Sequence, residues 1–210
     1  MKIVAKTVGM IATNVYLVID EKSEECIVID PAGPAREVIE LIEKYSVKPV
    51  AILLTHGHFD HIGAVEEIKN KYLNLLLYAS EDEKETLKEP SINLSSQYGQ
   101  YISIEADVWL KDGQLLDLLG MKVKCIKTPG HTQGGICYYL ETEEEKYLFS
   151  GDTLFAESVG RTDFPGGNMS ELLHSVREKL YILPKETLVL PGHGENTSIA
   201  YEKENNFYTI

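Results

Sequence analysis

Apolar runs along the first quarter of the chain predict strands before any other feature is considered. Residues 2–8 (KIVAKTV) and 14–20 (NVYLVID) flank a turn at Gly9–Met10, and residues 26–30 (CIVID) are rich in β-branched side chains. Residues 49–55 (PVAILLT) form a continuous apolar run, which is typical of a strand covered on both faces. The chain therefore begins with strands and reaches a buried strand by residue 55.

Helical periodicity separates the later strands of this first half. Residues 36–45 place their apolar side chains on one helical face, and a second helix is predicted from near Ile62 to Tyr72. Residues 73–79 form a further strand. Ser80, followed by Glu83 three positions later, is typical of a capping box and predicts a charged helix to about Glu89.

The second half repeats the order of strands followed by helix and strand. Residues 90–108 are polar and carry no firm pattern, and residues 157–168 form a glycine-rich loop. Asn168, with Glu171 three positions later, predicts a helix to about Leu180, and a short helix is expected to begin near Thr197. Strands are predicted at 121–128, 135–141, 146–151 and 187–194.

Two β-sheets covered by helices on their outer faces would satisfy both halves of this pattern. No low-complexity linker interrupts the 210 residues. We therefore expect a single domain over residues 1–210, of the α/β (α+β) class.

Charge and cysteine content narrow the possible partners and the compartment. The formal net charge of -13 disfavours nucleic acids and anionic membranes, because both would be repelled at long range. The sequence shows no apparent signal peptide, and Cys26, Cys125 and Cys137 form no CxxC pattern. We expect the cysteines to be buried in strands, the partner to be a small molecule and the location to be cytoplasmic; the sequence leaves the oligomeric state open.

Histidines and aspartates follow four separate apolar strands. The stretch THGHFDH crowds His56, His58, Asp60 and His61 directly after the strand at 49–55, where a polar surface turn would explain one histidine but not three with a carboxylate. Three further strand ends supply His131 in TPGHTQGG, Asp152 in YLFSGD and His193 in PGHG. His174 falls inside a predicted helix and is assigned no role.

Imidazole and carboxylate ligands are typical of sites for zinc, manganese or iron. The absence of thiolate ligands disfavours a closed structural zinc site of the thiolate type. Seven such side chains exceed the needs of one four-coordinate ion. This supply predicts two divalent ions about 3.5–4 Å apart that share a carboxylate and a water. We expect zinc, with iron or manganese as alternatives.

These motifs together resemble the metallo-β-lactamase superfamily. THGHFDH matches its HxHxDH signature, and PGHT, SGDTLF and PGHG match its later ligand motifs in order. The resemblance implies a four-layer αββα sandwich with the metal site at one end of the two sheets. It also implies that His56, His58 and His131 bind one ion, that Asp60, His61 and His193 bind the other, and that Asp152 bridges them.

Within the superfamily the chain is similar to the glyoxalase II branch, the hydroxyacylglutathione hydrolase-like thioesterases, in a short form. The complete HxHxDH motif and bridging aspartate favour this branch over true β-lactamases, and His58 disfavours the flavodiiron oxygen reductases. Glyoxalase II itself carries a helical C-terminal extension with glutathione-binding basic residues, which this sequence does not show. The loop SVGRTDFPGGN is similar to loops in short bacterial relatives, and its GRTDF also occurs in the persulfide dioxygenase branch.

Two enzymatic hypotheses follow, with a non-enzymatic one behind them. The first is a dinuclear metallohydrolase that uses a metal-bridging hydroxide to cleave a thioester or related acyl compound, with Asp60 and Asp152 as its catalytic carboxylates. The alternative is a mononuclear-iron persulfide dioxygenase that uses His56, His131 and Asp152. A metal-stabilised binding protein is disfavoured, because structural sites are normally closed and smaller.

Beyond the ligands, the predictions are less specific. Arg161 is a candidate for binding substrate, although an ion pair with Asp163 is the stronger expectation. Thr55 and Thr132 adjoin ligands and either orient imidazoles by hydrogen bonds or are ordinary strand-end residues. Tyr98 and Tyr101 lie in the stretch without a firm pattern, and each is either part of the pocket wall or an exposed loop aromatic.

Overall fold

The computed structural model describes residues 1–209 and contains two groups of strands with helices between them. The first group comprises β1 (Lys2–Val8), β2 (Thr13–Asp20), β3 (Glu25–Ile29), β4 (Lys48–Leu53), β5 (Leu76–Ser80) and β6 (Val108–Leu110). The second comprises β7 (Leu115–Leu118), β8 (Met121–Lys127), β9 (Ile136–Glu141), β10 (Lys146–Gly151), β11 (Leu154–Phe155), β12 (Ser158–Val159), β13 (Leu188–Pro191) and β14 (Thr197–Ser198). The α-helices are α1 (Ala35–Tyr45), α2 (Phe59–Ile62), α3 (Val65–Lys71), α4 (Lys84–Lys88), α5 (Met169–His174) and α6 (Ile199–Asn205).

Each group of strands builds one six-stranded mixed sheet. The first sheet runs β1-β2-β3-β4-β5-β6, antiparallel as far as β3 and parallel from there on. The second runs β14-β13-β10-β9-β8-β7, with β10 and β13 parallel and the other neighbours antiparallel. Strands β11 and β12 form a separate small hairpin.

Three apolar clusters show how the layers stack, because successive strand residues face opposite sides of a sheet. In β2, Leu17 belongs to the cluster shared with α1 and α3, whereas Tyr16 and Val18 belong to the cluster between the two sheets. The third cluster joins the outer face of the second sheet to α5 and α6. Three apolar interfaces separate four layers, so the αββα sandwich is confirmed.

The strand directions bring the predicted ligands to one edge. Strands β3, β4 and β5 are parallel, so their carboxyl ends lie together. In the other sheet β8 and β10 are both antiparallel to β9, and β13 is parallel to β10, so these three also end at a common edge. Within each sheet, residues immediately after these three strands are therefore neighbours in space, although they are far apart in sequence.

The helix expected from Ile62 to Tyr72 is divided in two. Helix α2 begins at Phe59 and ends at Ile62, and α3 begins only at Val65. The interruption lies where two backbones meet, since a Cβ on Gly63 would be 2.9 Å from the Gly33 nitrogen. At the interruption the Ala64 nitrogen donates to the Pro31 carbonyl at 2.9 Å, a contact with a distant loop that local periodicity does not show.

Other element boundaries differ in smaller ways. Strand β5 starts at Leu76 rather than residue 73, because Asn74 has a left-handed φ of 64°. The predicted helix from Asn168 is confirmed with its side-chain cap, although residues Ser175–Leu180 continue it as a π-helix. Strands β6 and β7 were not predicted, because three- and four-residue strands carry too little alternation to detect.

The three cysteines are buried and free, as expected. No helix within residues 1–209 is both long enough and apolar enough to cross a membrane.

A hydrogen bond inside the sandwich gives the first testable prediction. Tyr138 is fully buried between the sheets and donates to the Leu54 carbonyl, 2.6 Å away, at the end of β4. Tyr138→Phe would leave that acceptor unpaired and should lower the free energy of unfolding by about 1–3 kcal/mol. Urea denaturation measures the change.

Tyr139→Phe is the matched control, because the Tyr139 hydroxyl donates to the Glu141 side chain, 3.2 Å away in the same strand, and not to the other sheet. We expect a smaller loss than for Tyr138→Phe, because Glu141 is exposed and its carboxylate can bond water in place of the hydroxyl. Equal losses for the two variants would show that the Tyr138 bond does not join the sheets.

Candidate metal centre

All seven predicted ligands lie at the common edge of the two sheets. The HxHxDH stretch follows β4 and enters α2, His131 follows β8, Asp152 follows β10, and His193 follows β13. The imidazoles of His56, His58, His61 and His131 are at most 5% exposed. Asp60, Asp152 and His193 are partly buried.

Three overlapping groups of these side chains converge closely enough to hold a metal ion. In each group the potential ligand atoms lie within 4.8 Å of one another. The groups are His56–His58–His131, His56–His61–Asp152 and Asp60–His61–His193. His174, in contrast, is exposed on α5 and belongs to none of them.

Asp152 lies between the two outer groups. One carboxylate oxygen is 3.4 Å from Nε2 of His61, and the other is 3.5 Å from Nε2 of both His131 and His193. On either side, Nδ1 of His58 is 2.9 Å from Nε2 of His131, and Nε2 of His193 is 3.2 Å from Oδ2 of Asp60. One carboxylate therefore contacts ligands of both sets, which suits a bridging role.

Buried partners fix the orientation of the imidazoles. Asp30, directly after β3, accepts hydrogen bonds from the Thr55 backbone at 2.7 Å and hydroxyl at 2.6 Å, and lies 3.0 Å from Nδ1 of His61. The Thr55 hydroxyl uses its proton on Asp30, so it can only accept from Nδ1 of His56, 3.1 Å away. Both Nε2 atoms are then left with a free lone pair for a metal.

Backbone carbonyls orient the two remaining histidines. Nδ1 of His131 lies 2.7 Å from the Arg161 carbonyl, and Nδ1 of His193 lies 3.3 Å from the Ala12 carbonyl. A carbonyl can only accept, so each Nδ1 carries a proton and each Nε2 is the atom that faces the centre. Thr55 thus orients the His56 imidazole by a hydrogen bond, whereas the orientation of an imidazole by Thr132 stays a prediction.

The Arg161 side chain forms the ion pair that the sequence favoured. Its Nε and Nη2 donate to the two carboxylate oxygens of Asp163 at 2.7 and 2.6 Å, and its guanidinium lies 4.0 Å from the Phe164 ring centroid. The substrate-binding role of Arg161 stays a prediction. Its carbonyl bond to His131 was not foreseen, because a backbone contact carries no side-chain signal.

Burial and neighbouring charges shift the pKa values of the cluster residues, some downward and some upward. Burial lowers the pKa of His56 far below its usual value and that of His58 to about 3, and neighbouring imidazoles add to both shifts. Burial opposes the charged form of Asp152, but His61 outweighs it and holds the pKa of Asp152 well below its ordinary range. His61 is likewise buried, yet Asp60, Asp152 and Asp30 raise its pKa.

The donor set fits divalent ions in this place. Nε2 of His56 and Oδ1 of Asp152 are buried atoms without a hydrogen-bond partner among the described residues. Such atoms are costly to bury unless something binds them. Carboxylates withdrawn from water also favour a neighbouring positive charge, which a bound cation would supply.

Glycines leave the room that these side chains occupy. A Cβ on Gly192 would lie 2.3 Å from Oδ1 of Asp152 and 2.6 Å from Cε1 of His61. A Cβ on Gly151, which has a left-handed φ of 49°, would lie 2.3 Å from the Thr55 hydroxyl oxygen. At these two positions a side chain would displace a ligand or the threonine that orients one.

A cavity of about 490 Å³ opens from the cluster to solvent. Its wall includes His58, Asp60, His131, Asp152 and His193. A second cavity of about 660 Å³ adjoins it, because Ile11, Phe59, Asp60 and Tyr98 line both. The Phe59 and Tyr98 rings stack between them, with centroids 4.2 Å apart.

A family model described as the metallo-beta-lactamase superfamily matches residues 8–193, which include every residue of the cluster. The chain belongs to this superfamily. Its members are metal-dependent, so the His/Asp cluster is a candidate site for divalent ions in a metallohydrolase-type enzyme.

Individual superfamily members cover nearly the whole chain. The probable metallo-hydrolase YqgX of Bacillus subtilis is 38% identical over 204 residues, 95% of this chain and 93% of the relative. The hydroxyacylglutathione hydrolase GloC of Haemophilus influenzae is 35% identical over 197 residues, 92% of this chain and 91% of the relative. The crystal structure of BLEG-1 B3 metallo-beta-lactamase is 36% identical with a TM-score of 0.92, covering 99% of each chain.

Two buried carboxylates at this edge of the superfamily fold were missed from the sequence. Asp30 ends the strand CIVID, and Glu83 follows β5, so both occupy the same kind of strand end as the predicted ligands. Glu83 was interpreted as a capping residue; the Ser80 hydroxyl does accept from the Asp82 nitrogen, but Glu83 is only 1% exposed and turns inward. Strand-end position was the available signal for both.

Replacing Asp30 tests the hydrogen bond that orients His61. In Asp30→Asn the amide NH₂ would donate to Nδ1 of His61, which moves the ring proton to Nε2, the atom that faces Asp60 and Asp152. We expect the affinity for the ion at His61 to fall about 10–100-fold. Zinc titration of metal-free protein against a chromophoric chelator measures it.

Asp117→Asn is the control, because Asp117 is exposed on β7 and pairs with Lys122. Asp117→Asn should leave the zinc affinity of each ligand set unchanged. Wild-type zinc affinity in Asp30→Asn would show that the carboxylate does not set the His61 tautomer.

Proposed function

We propose that this chain is a dinuclear metallohydrolase that cleaves a thioester or a related acyl compound. The observation that carries the proposal is the position of Asp152 between two ligand sets, with carboxylate oxygens near His61, His131 and His193. Similarity over nearly the full length to a hydroxyacylglutathione hydrolase supports the reaction class.

We assign the ligands in two sets. His56, His58 and His131 would hold one ion, Asp60, His61 and His193 the other, and Asp152 would contact both. Zinc suits this nitrogen and oxygen donor set, and iron and manganese are accepted by the same ligands. Bound ions supply a nucleophile at neutral pH by lowering the pKa of water to about 7, and they polarise the substrate carbonyl.

The protein's own residues hold this arrangement ready before substrate enters. Asp60 is fixed by the Thr13 hydroxyl, 3.1 Å from Oδ2, and His61 by Asp30. These bonds keep the carboxylate and imidazole aimed at the centre. A thiolate leaves without needing a strong acid, so the reaction places no demand on Ser150 or Ser158 as further catalytic groups.

The two adjoining cavities favour an extended substrate. The acyl group would lie in the first cavity beside His58 and Asp152, and the thiol-bearing half would continue past the Phe59–Tyr98 stack into the second. Both parts of an acylated thiol carrier would then contact protein, which raises the binding energy available to the reaction. Arg161, at the wall of the first cavity, is a candidate contact for a carboxylate on the acyl group.

Two other reactions are rivals on specific grounds. The 36% identity to BLEG-1 B3 metallo-beta-lactamase favours β-lactam hydrolysis as a candidate. The GRTDF segment at residues 160–164 favours persulfide oxidation with a single iron, which would leave His58 and Asp60 outside the coordination of the ion. Each rival predicts a different product or metal content.

Metal removal and ligand replacement test the dinuclear hydrolase. Chelation should abolish thioester hydrolysis, and zinc should restore it as the metal content rises to two ions per chain. His58→Ala or Asp60→Asn should lower the bound metal towards one ion and reduce kcat at least about 100-fold, because metal ligands and their immediate partners control activity strongly. Metal analysis and thiol release from a thioester series measure both.

His174→Ala is the matched control, because His174 is exposed and outside the cluster. Full thioesterase activity with one ion bound would contradict the dinuclear form. Turnover of a chromogenic cephalosporin faster than that of any thioester would favour β-lactam hydrolysis. Oxygen uptake with sulfite formation from a persulfide would favour the dioxygenase.

A second test addresses the extended substrate. Tyr98→Ala removes one ring of the stack that borders both cavities, so KM for a thioester of a long carrier should rise about 3–10-fold, the loss expected from one aromatic contact. KM for S-methyl thioacetate, which does not reach the second cavity, should change little.

Tyr101→Ala is the control, because Tyr101 is 79% exposed and lines neither cavity. Equal KM changes for long and short thioesters in Tyr98→Ala would contradict the second cavity as a carrier site.

A further inference from the structure

Glu83 is a buried carboxylate that the proposed chemistry does not use. It ends the 3₁₀ turn Glu81–Glu83 after β5, immediately before α4. Its Oε2 accepts a hydrogen bond from the Gly57 nitrogen at 2.7 Å, and its Oε1 accepts one from the Gly134 nitrogen at 2.8 Å. Both carboxylate oxygens are therefore occupied by backbone N–H groups.

The two glycines belong to ligand loops of different sheets. Gly57 separates His56 from His58 after β4 of the first sheet. Gly134 lies three residues after His131, in the loop between β8 and β9 of the second sheet. One side chain thus ties together the backbones that carry the three histidines of the first ligand set.

The contact is a close one on both sides. A Cβ on Gly57 would lie 3.0 Å from Oε2 of Glu83, and a Cβ on Gly134 would lie 2.6 Å from the Glu83 backbone nitrogen. Side chains at these glycines would push the loops away from Glu83. The two glycines let their loops come close to Glu83, and the hydrogen bonds to its carboxylate fix the distance between the loops.

No positive side chain balances this group within residues 1–209, since no Lys, Arg or His forms an ion pair with it there. Burial raises the pKa of Glu83, and the Thr132 side chain, followed by the backbone N–H groups of Gly134 and Gly57, opposes the rise. Burying a carboxylate without a cation lowers the stability of the fold, so the joining of two loops does not by itself explain its presence. A glutamine could not replace it, because an amide offers only one acceptor oxygen for two N–H donors.

We infer that Glu83 is a positioning residue that holds the His56–His58 loop and the His131 loop at the spacing which the first metal ion requires. The inference rests on the proposed dinuclear centre. It adds a cross-sheet carboxylate, outside the coordination sphere, that acts on one ion and not on the other. None of the six ligand side chains bonds Glu83, and the difference lies in the backbone. Gly57 is flanked by His56 and His58, whereas Asp60 and His61 lie in α2 and His193 follows β13.

Metal binding in single-site backgrounds tests this selectivity. His193→Ala disables the second ligand set, and His58→Ala disables the first. Glu83→Gln should weaken Co²⁺ and Zn²⁺ affinity about 10–100-fold in the His193→Ala background and leave affinity within about 2-fold in the His58→Ala background. The Co²⁺ absorption spectrum of the first site should also change, because its imidazoles shift.

Two further variants complete the design. Glu85→Gln, an exposed neighbour on α4, is the matched control and should change neither affinity. Glu83→Asp keeps the charge but is one methylene shorter, so it should give a smaller loss that is again confined to the first site. If circular dichroism shows Glu83→Gln to be unfolded, the aspartate variant decides alone.

Unchanged first-site affinity and Co²⁺ spectrum, or equal weakening of both sites, would overturn the positioning role. Failure of the centre itself is separate: wild-type protein that binds fewer than two ions, or binds two and hydrolyses no thioester, contradicts the proposed function. Because affinity and spectrum are measured without substrate, these results do not depend on the reaction.

Discussion

Burial of acidic and basic groups at the joined edge of two sheets is the constraint on which the rest of this structure depends. Carboxylates and imidazoles can leave water only if each is paired, hydrogen-bonded or bound to a cation. Around the cluster the pairing is nearly complete on the outer side, where Asp30, Thr55 and two backbone carbonyls hold the ring N–H groups. On the inner side, atoms such as Nε2 of His56 remain without a partner and converge. That asymmetry creates a cation site.

The sandwich makes the asymmetry possible. Apolar residues fill all three interfaces between the layers, so the strands are rigid and their carboxyl ends are fixed relative to each other. Short turns then place each functional side chain within eight residues of the end of a strand. Glycines at these turns, Gly151 and Gly192 above all, let the loops approach within distances that a Cβ would forbid. Core packing and site geometry are consequently parts of one arrangement.

The two sheets contribute different ligands to the cluster, so its geometry depends on how the sheets are aligned. The first sheet supplies His56, His58, Asp60 and His61, whereas the second supplies His131, Asp152 and His193. Any relative shift of the sheets would change the distance between the halves of each ligand set. Bonds that cross this boundary, such as Tyr138 to the Leu54 carbonyl and Glu83 to Gly57 and Gly134, hold the halves in place. The proposed paired metal centre would need such cross-sheet contacts.

Residue order alone determined much of this protein. Period-two alternation and β-branched runs identified the long strands, the Asn168 cap located α5, and histidines after apolar strands identified the cluster, because each signal is local in the chain. The tertiary structure decided what depends on distant contacts. Where α2 and α3 separate, the Ala64 nitrogen donates to the Pro31 carbonyl, and Glu83 turns inward because two loops offer it N–H groups. Asp30 orients His61 across 31 positions, and the Arg161 carbonyl reaches His131. A sequence pattern records which side chains are present, but hydrogen bonds between remote segments arise only once the sheets are packed.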